Sequence, residues 1–112
     1  MGYRALALPR GMEDVRGRRE WRSVGGRWRV LWLGRVPYEV ALGWQERLVE
    51  DKVSEMEGED VLLLLEHDPV YTIGRSPDRS SLGVVEGGTV PVVEINRGGK
   101  ATYHGPGQLV GY

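Results

Sequence analysis

The chain of 112 residues contains no cysteine and only two histidines, His67 and His104. Without cysteine, disulfides, thiolate metal sites and a cysteine nucleophile are excluded within these residues. Two histidines with no third ligand at a metal-binding spacing do not predict a zinc site. No apolar run approaches the length of a membrane-spanning helix, and no signal-peptide core is present.

The composition supports a folded domain. Hydrophobic residues make up 40% of the chain, and four tryptophans and five tyrosines are among them. This apolar content is enough to form a core, so global disorder is not predicted. The length permits one small domain or a part of a larger one.

Charge is distributed unevenly along the chain. The formal net charge is −1, but residues 1–35 carry a net charge of +6 and residues 36–112 one of −7. Residues 1–26 show no hydrophobic period, so we predict a mobile basic leader at 1–26 and the domain at 27–112. The leader contains three acidic residues and one serine, which is not the composition of a mitochondrial transit peptide.

Basic residues beside Trp21, Trp28 and Trp32 would suit a nucleic-acid-binding surface, but no nucleic-acid-binding motif follows them. We therefore predict neither a nucleic acid nor a membrane as a partner. A cytoplasmic location is expected.

A strand and a helix are predicted in the first half of the domain. Residues 27–35 alternate so that Trp28, Val30 and Trp32 share one face of a strand. Residues 38–56 carry apolar side chains at three- and four-residue steps, which predicts a helix with Trp44 outside its buried stripe. The predicted stripe consists of Tyr38, Ala41, Leu42, Leu48, Val49, Val53 and Met56.

Further strands follow. Residues 61–65 are apolar on both faces, which is typical of a central strand. The order strand, helix, strand predicts an α/β fold. Residues 66–75 come at the end of the central strand, where such folds place ligand sites. Residues 89–96 predict another strand, and Pro91 places it at an edge or a bulge.

The block at 97–108 combines residue types that favour a ligand site. Arg97 brings a fixed charge and a planar set of donors. Gly98 and Gly99 allow the main chain to approach a ligand closely. Residues 105–107, Gly-Pro-Gly, predict a turn.

Between the glycine pair and the turn, residues 102–104 predict a short strand. Thr102 and His104 then lie on one face and Tyr103 on the other. The block therefore indicates a pocket walled by glycine, with a histidine at its rim.

This block resembles the signature of a known family. RGGKATYHGPGQLVGY at 97–112 is similar to the signature of the lipoyl(octanoyl) transferases, the acyltransferases of protein lipoylation. EHDPVYTIGR at 66–75 resembles their upstream His-x-Pro-Val-x-Thr-x-Gly segment. The resemblance runs from about Arg29 to Tyr112. It implies an α/β fold, a mixed sheet with helices packed on it, similar to the biotin/lipoate protein ligase catalytic domain.

The resemblance also implies an activity. The family transfers an octanoyl or lipoyl group from acyl carrier protein to a lysine of lipoyl domains, those of 2-oxoacid dehydrogenases and the H protein of glycine cleavage. It does so through a thioester on a cysteine and needs no cofactor. Its nucleophilic cysteine and partner lysine lie downstream of the block seen here. The chain is therefore expected to hold the acyl-binding half, to be incomplete at its C-terminus and to be inactive alone.

Site residues are implied position by position. Tyr103 offers an apolar ring for an alkyl chain, and His104 either orients the thioester or has a structural role. Arg97 holds the glycine loop, which contains Gly98 and Gly99, or meets an acidic partner. Arg75 is a supporting residue that could meet the same kind of partner. His67 is a supporting or structural residue. The implied substrate-binding positions are Arg97, Gly98, Gly99, Lys100, Ala101, Thr102, Tyr103 and His104.

Two alternatives remain open at this point. One is an ATP-dependent ligase of the lipoate or biotin type, although the chain lacks an Arg-Arg-x-Ser-Gly-Gly-Gly run. The other is a fragment or degenerate homologue that binds an acyl chain without transferring it.

Overall fold

The computed structural model describes residues 12, 15, 17–22, 25, 28–54, 59–75, 80 and 88–112. Within them, strands and one helix follow the order β1 (Arg19–Arg22), β2 (Trp28–Arg35), α1 (Tyr38–Ser54), β3 (Asp60–Glu66), β4 (Val70–Ile73), β5 (Val92–Glu94), β6 (Thr102–His104) and β7 (Val110–Gly111). One sheet has the order β1-β2-β3-β7 and a second has the order β5-β4-β6. The predicted α/β class with a mixed sheet is confirmed.

The first sheet is built on β2 and β3, which run parallel. The predicted strand at 27–35 is confirmed as β2, in which Arg29, Leu31 and Leu33 form the buried face. The predicted central strand is confirmed as β3, since β7 pairs with its other edge. Leu63 and Leu65 of β3 are buried. Each fully buried leucine contributes about 1.5–3 kcal/mol relative to an exposed one.

Helix α1 packs on this sheet with a face that differs from the predicted one. Its buried residues are Tyr38, Ala41 and Trp44, whereas Val49 and Val53 are 62% and 77% exposed. The prediction was wrong about these two valines and about Trp44. The indole ring of Trp44 packs in the core cluster with Leu31, Leu63 and Leu65, so burial of this large apolar ring defines the buried face of the helix.

Part of the predicted leader belongs to the sheet. Strand β1 pairs antiparallel with β2, and Met12 is fully buried in the core. A mobile leader up to residue 26 is therefore wrong for these residues, because backbone pairing and burial of Met12 fix them. Residues 1–11 lie outside the described part of the chain.

The second sheet contains a strand that the sequence did not reveal, β4. It pairs parallel with β5 and antiparallel with β6. The strand predicted at 89–96 is shorter, Val92–Glu94, and its edge position is confirmed. Pro91 precedes it and accepts a hydrogen bond through its carbonyl from the N–H of Tyr71 at 2.9 Å. Across the described residues, no helix has the length and apolar character needed to cross a bilayer.

An ion pair between a buried arginine and a half-buried glutamate joins β1 to β2. The guanidinium of Arg29, a residue only 7% exposed, donates to both carboxylate oxygens of Glu20, with Nη2 to Oε2 at 3.2 Å. This bond to Arg29 holds the pKa of Glu20 below its ordinary value of 4.5. The stabilisation is therefore present above pH 4.5 and is lost as the pH falls through the lowered pKa.

We expect Glu20→Gln to lower the free energy of unfolding by about 1–3 kcal/mol at pH 7, because the buried guanidinium loses a charged acceptor. Urea denaturation measures the change. The matched control is Asp68→Asn, which removes the ion pair between Asp68 and Arg35. The side chain of Arg35 is 53% exposed and that of Asp68 is 55% exposed. That control should cost less than about 1 kcal/mol, and equal losses in the two variants would contradict the expectation.

Candidate functional site

The two histidines of the chain lie together where β3 ends and β6 ends. Their ring centroids are 5.6 Å apart in an edge-to-face arrangement. Tyr38 is the first residue of α1 and lies beside both rings. Its ring centroid is 5.1 Å from that of His67 and 6.3 Å from that of His104. The sequence separates these residues by up to 66 positions, and the contact between the two sheets brings them together.

His67 has both ring nitrogens occupied. Nδ1 lies 2.8 Å from the carbonyl oxygen of Val36, and Nε2 lies 2.8 Å from the hydroxyl of Tyr112. A carbonyl only accepts, so Nδ1–H donates to Val36 and Nε2 accepts from the Tyr112 hydroxyl. Burial lowers the pKa of His67 and raises the pKa of Tyr112 to about 12. Both groups are therefore neutral at pH 7, which supports a structural role for His67.

His104 is half-buried, and a neighbouring turn orients it. Its Nδ1 lies 2.9 Å from Oε1 of Gln108. Gln108 reaches this position because its N–H bonds to the carbonyl of Gly105 at 3.1 Å and Gly107 has φ +88°. Proline followed by glycine at positive φ is the pattern of a type II turn. The predicted strand 102–104 and the turn after it are confirmed.

Arg97 acts as a clamp across the second sheet. Its Nη2 donates to the hydroxyl of Thr72 at 3.0 Å and to that of Thr102 at 3.1 Å, and Nη1 donates to the carbonyl of Gly98 at 2.9 Å. Thr72 and Thr102 are directly paired residues of β4 and β6. Of the roles open to Arg97, holding the glycine loop is the one that the geometry favours.

The glycine loop, residues 97–100, packs closely against Gly74. A methyl group on Gly74 would lie 2.5–3.0 Å from the carbonyl oxygens of Arg97, Gly98 and Gly99. Those three carbonyls therefore face Gly74. Because C=O and N–H point in opposite directions across a trans peptide, and the described chain contains no cis peptide, the N–H groups of residues 98–100 face away from Gly74. Gly98 and Gly99 are exposed.

The structure divides the remaining predicted residues between two sides of the second sheet. Tyr103 lies on the face opposite His104 and packs against Tyr71, with ring centroids 5.1 Å apart. Lys100 is exposed and Ala101 is half-buried. Arg75 is exposed, and its N–H bonds to the carbonyl of Arg97 at 2.9 Å. The structure thus groups Thr102 and His104 with the Arg97 loop, and it places Tyr103 apart from them.

A cavity of about 480 Å³ lies elsewhere, between α1 and β3. None of the predicted site residues line it. Its apolar wall includes Leu48, Leu63 and Tyr112. Across the residues that the structure describes, no three His, Cys, Asp or Glu side chains come together in a way that would hold a metal ion.

Sequence reasoning missed several residues of this site. Tyr38 was predicted only as a core residue, and no role was predicted for Gln108. Tyr112 carried no signal at all, because a tyrosine in an apolar strand pattern gives no hint of a hydroxyl bonded to a histidine. Thr72 and Gly74 stood inside the 66–75 segment, but nothing in that segment indicates contact with Arg97.

We expect Gly74→Ala to lower the free energy of unfolding by about 1–3 kcal/mol, because the added methyl group must push the carbonyls of residues 97–99 aside. Gly98→Ala is the matched control, since a methyl group there meets nothing within 4 Å. Urea denaturation compares the two. A Gly98→Ala loss as large as that of Gly74→Ala would contradict the close packing.

We expect His67 to titrate below its ordinary pKa of 6.5, because burial disfavours its charged form. The unfolded chain then binds a proton near pH 6.5 that the folded chain does not bind. Stability therefore falls as the pH drops below 6.5. An NMR titration of the His67 ring protons measures the midpoint, and a midpoint at or above 6.5 would show that burial does not govern this group.

Comparison with known proteins agrees with the resemblance in the sequence. The pattern of the lipoyl protein ligase A/B catalytic domain matches residues 37–112. An octanoyltransferase of Gloeobacter violaceus is 44% identical over 87 residues, which cover 78% of this chain and 39% of that protein. Octanoyltransferases of Mycolicibacterium gilvum and Geobacter sulfurreducens are each 51% identical over 84 residues, or 75% of this chain. These residues make up 33% and 34% of the two relatives.

The chain thus spans between a third and two-fifths of the length of these relatives. The match includes the Arg97 loop, both histidines and the Gly105–Gln108 turn, which together form the site described above. This chain belongs to the lipoyl protein ligase A/B catalytic domain family.

Proposed function

We propose that this chain forms the acyl-binding part of an octanoyltransferase. The reaction moves an octanoyl or lipoyl group from acyl carrier protein to the ε-amine of a lysine on a lipoyl domain. The observation that carries the proposal is the shared face of the second sheet, on which His104 and the Arg97-held glycine loop lie together. Thr102, which accepts from Arg97, and His104 are two residues apart on β6, so their Cα atoms are separated by about 7 Å.

The glycine loop is suited to a thioester carbonyl. When a nucleophile attacks this carbon, negative charge develops on the oxygen, and backbone N–H groups held in place beforehand stabilise it. The N–H groups of residues 98–100 face away from Gly74, on the exposed side of the loop. The hydrogen bonds from Arg97 to Thr72 and Thr102 hold these N–H groups in place.

The transfer has two steps in this proposal. A thiolate attacks the octanoyl thioester, the C–S bond to the phosphopantetheine arm breaks, and the released thiolate takes up a proton. The lysine amine then attacks the new thioester, a C–N bond forms, the enzyme thiolate leaves, and the amine gives its proton to a base. The chain has no cysteine. The thiol and a partner lysine are therefore proposed to come from outside these 112 residues.

His104 is proposed to face the reacting carbonyl. Its Nδ1 bonds to Gln108, so Nε2 is the nitrogen left to accept a hydrogen bond or a proton. Among the described residues, no hydrogen bond to Nε2 of His104 is formed. The ring of Tyr38 lies nearly parallel to that of His104, with the two centroids 6.3 Å apart.

Arg75 is proposed to assist docking of the donor. It is exposed, whereas Arg97 is engaged with the sheet. Acyl carrier proteins and lipoyl domains present acidic surfaces in general, and an exposed guanidinium is suited to carboxylates. The acceptors proposed are the lipoyl domains of 2-oxoacid dehydrogenases and the glycine cleavage H protein. The cytoplasmic location stays a prediction.

The proposal is tested by titrating the ¹⁵N-labelled chain with octanoyl-pantetheine. We expect chemical shift changes at Gly98, Gly99 and His104, and about tenfold weaker binding in His104→Ala. The control is Val53→Ala, which is 77% exposed on α1 and should bind as the unchanged chain does. Shifts confined to the cavity between α1 and β3 would contradict the proposed site. Shifts at Tyr103 would place the alkyl tail on its face of the sheet.

A second arm of the experiment separates the alternatives. Mixed with octanoyl-acyl carrier protein and a lipoyl domain, the chain should give no octanoyl-lysine by mass spectrometry, because it contains no thiol. Transfer by the chain alone would refute the need for an outside thiol. Formation of octanoyl-adenylate from octanoate and ATP would instead favour the ligase alternative.

A further inference from the structure

We propose that Gln108 is a positioning residue that sets the tautomer of His104 and so directs a lone pair of Nε2 into the site. The inference rests on the proposed function only where it gives Nε2 a role as acceptor of a hydrogen bond or a proton. The tautomer itself is inferred from the contact between Nδ1 of His104 and Oε1 of Gln108, and it can be measured without any substrate.

The hydrogen bond between the two side chains determines which nitrogen carries the proton. Oε1 of Gln108 is an amide carbonyl oxygen, which only accepts, and it lies 2.9 Å from Nδ1 of His104. With this oxygen facing it, Nδ1 carries the hydrogen, and Nε2 of the neutral ring is then an acceptor. With the opposite tautomer, Nε2 would present a hydrogen and could not receive a proton from an amine.

The backbone explains why Gln108 can reach His104. Four residues separate them, and the turn at 105–108 folds the chain back so that the two side chains meet. The carboxylate of Glu66, the last residue of β3, accepts from the N–H of Gly107 at 3.0 Å. The turn is thus tied to the central strand of the first sheet, while His104 belongs to the second sheet.

The aromatic ring contacts of His104 do not set its tautomer, so the hydrogen bond to Gln108 decides it. Tyr38 and His67 contact the imidazole through their ring faces and edges. Both nitrogens of His67 are occupied by Val36 and Tyr112. His67 therefore offers neither a donor nor an acceptor to His104, and the bond to Gln108 is the directional contact that orients the ring.

The test is the tautomer of each histidine in the ¹⁵N-labelled chain at pH 8, read from long-range ¹H–¹⁵N spectra of the imidazole rings. We expect His104 to be the Nδ1–H form in the unchanged chain. In Gln108→Leu it should shift toward the Nε2–H form, which free histidine side chains favour. In Gln108→Glu the carboxylate accepts at the same place, so the Nδ1–H form should return.

His67 is the internal control of this experiment. Its tautomer is set by the carbonyl of Val36, so it should be Nδ1–H in all three proteins, and this also shows that each variant is folded. An Nε2–H form of His104 in the unchanged chain would overturn the proposal. So would a Gln108→Leu spectrum in which His104 keeps its tautomer while His67 reports an intact fold.

Binding of octanoyl-pantetheine separates this inference from the proposed function. Gln108→Leu should bind about three- to tenfold more weakly, the range of one hydrogen bond, and Gln108→Glu should recover the affinity. A tautomer change in Gln108→Leu with unaltered binding would support the positioning role of Gln108. The same result would count against the use of Nε2 in substrate binding.

Discussion

The contact between the glycine loop and Gly74 is the constraint on which the rest of the site depends. Three successive carbonyl oxygens approach Gly74 so closely that no side chain fits there. The guanidinium of Arg97 closes the arrangement by bonding Thr72 and Thr102 on adjacent strands. One close approach thus fixes the direction of the loop carbonyls and, through planar peptides, that of the N–H groups.

The site also depends on the contact between the two sheets, which the histidines mediate. His67 follows the central strand of the first sheet, and its ring meets that of His104 from the second sheet. A charged imidazole at this position would be costly, and burial keeps the ring neutral. With the Val36 carbonyl and the Tyr112 hydroxyl as its partners, His67 is a neutral support for a histidine that is itself half-buried.

The sequence predicted much of the fold where one local pattern decides the outcome. Strand β2, the central strand β3 and helix α1 follow from runs of apolar residues, and their bounds agree within a few residues. Patterns failed where distant residues decide burial. Trp44 replaced Val49 and Val53 on the buried face of α1 because the sheet beneath it accepts a large ring. β1 was missed because its pairing with β2, not its composition, makes it a strand.

By itself, the sequence determined that no thiol lies in this chain, that a glycine pair and a Gly-Pro-Gly turn flank a short strand, and that Thr102 and His104 share a face. These properties follow from residue identity and from the two-residue period of a strand. Only the tertiary structure decided what each polar group bonds to. Arg97 donates hydrogen bonds to two threonines, and His67 bonds to a tyrosine 45 positions away. Tyr103 lies on the strand face opposite His104. Hydrogen-bond partners far apart in the chain leave no local pattern, because the pairing of β3 with β7 and of β4 with β6 brings them within bonding distance.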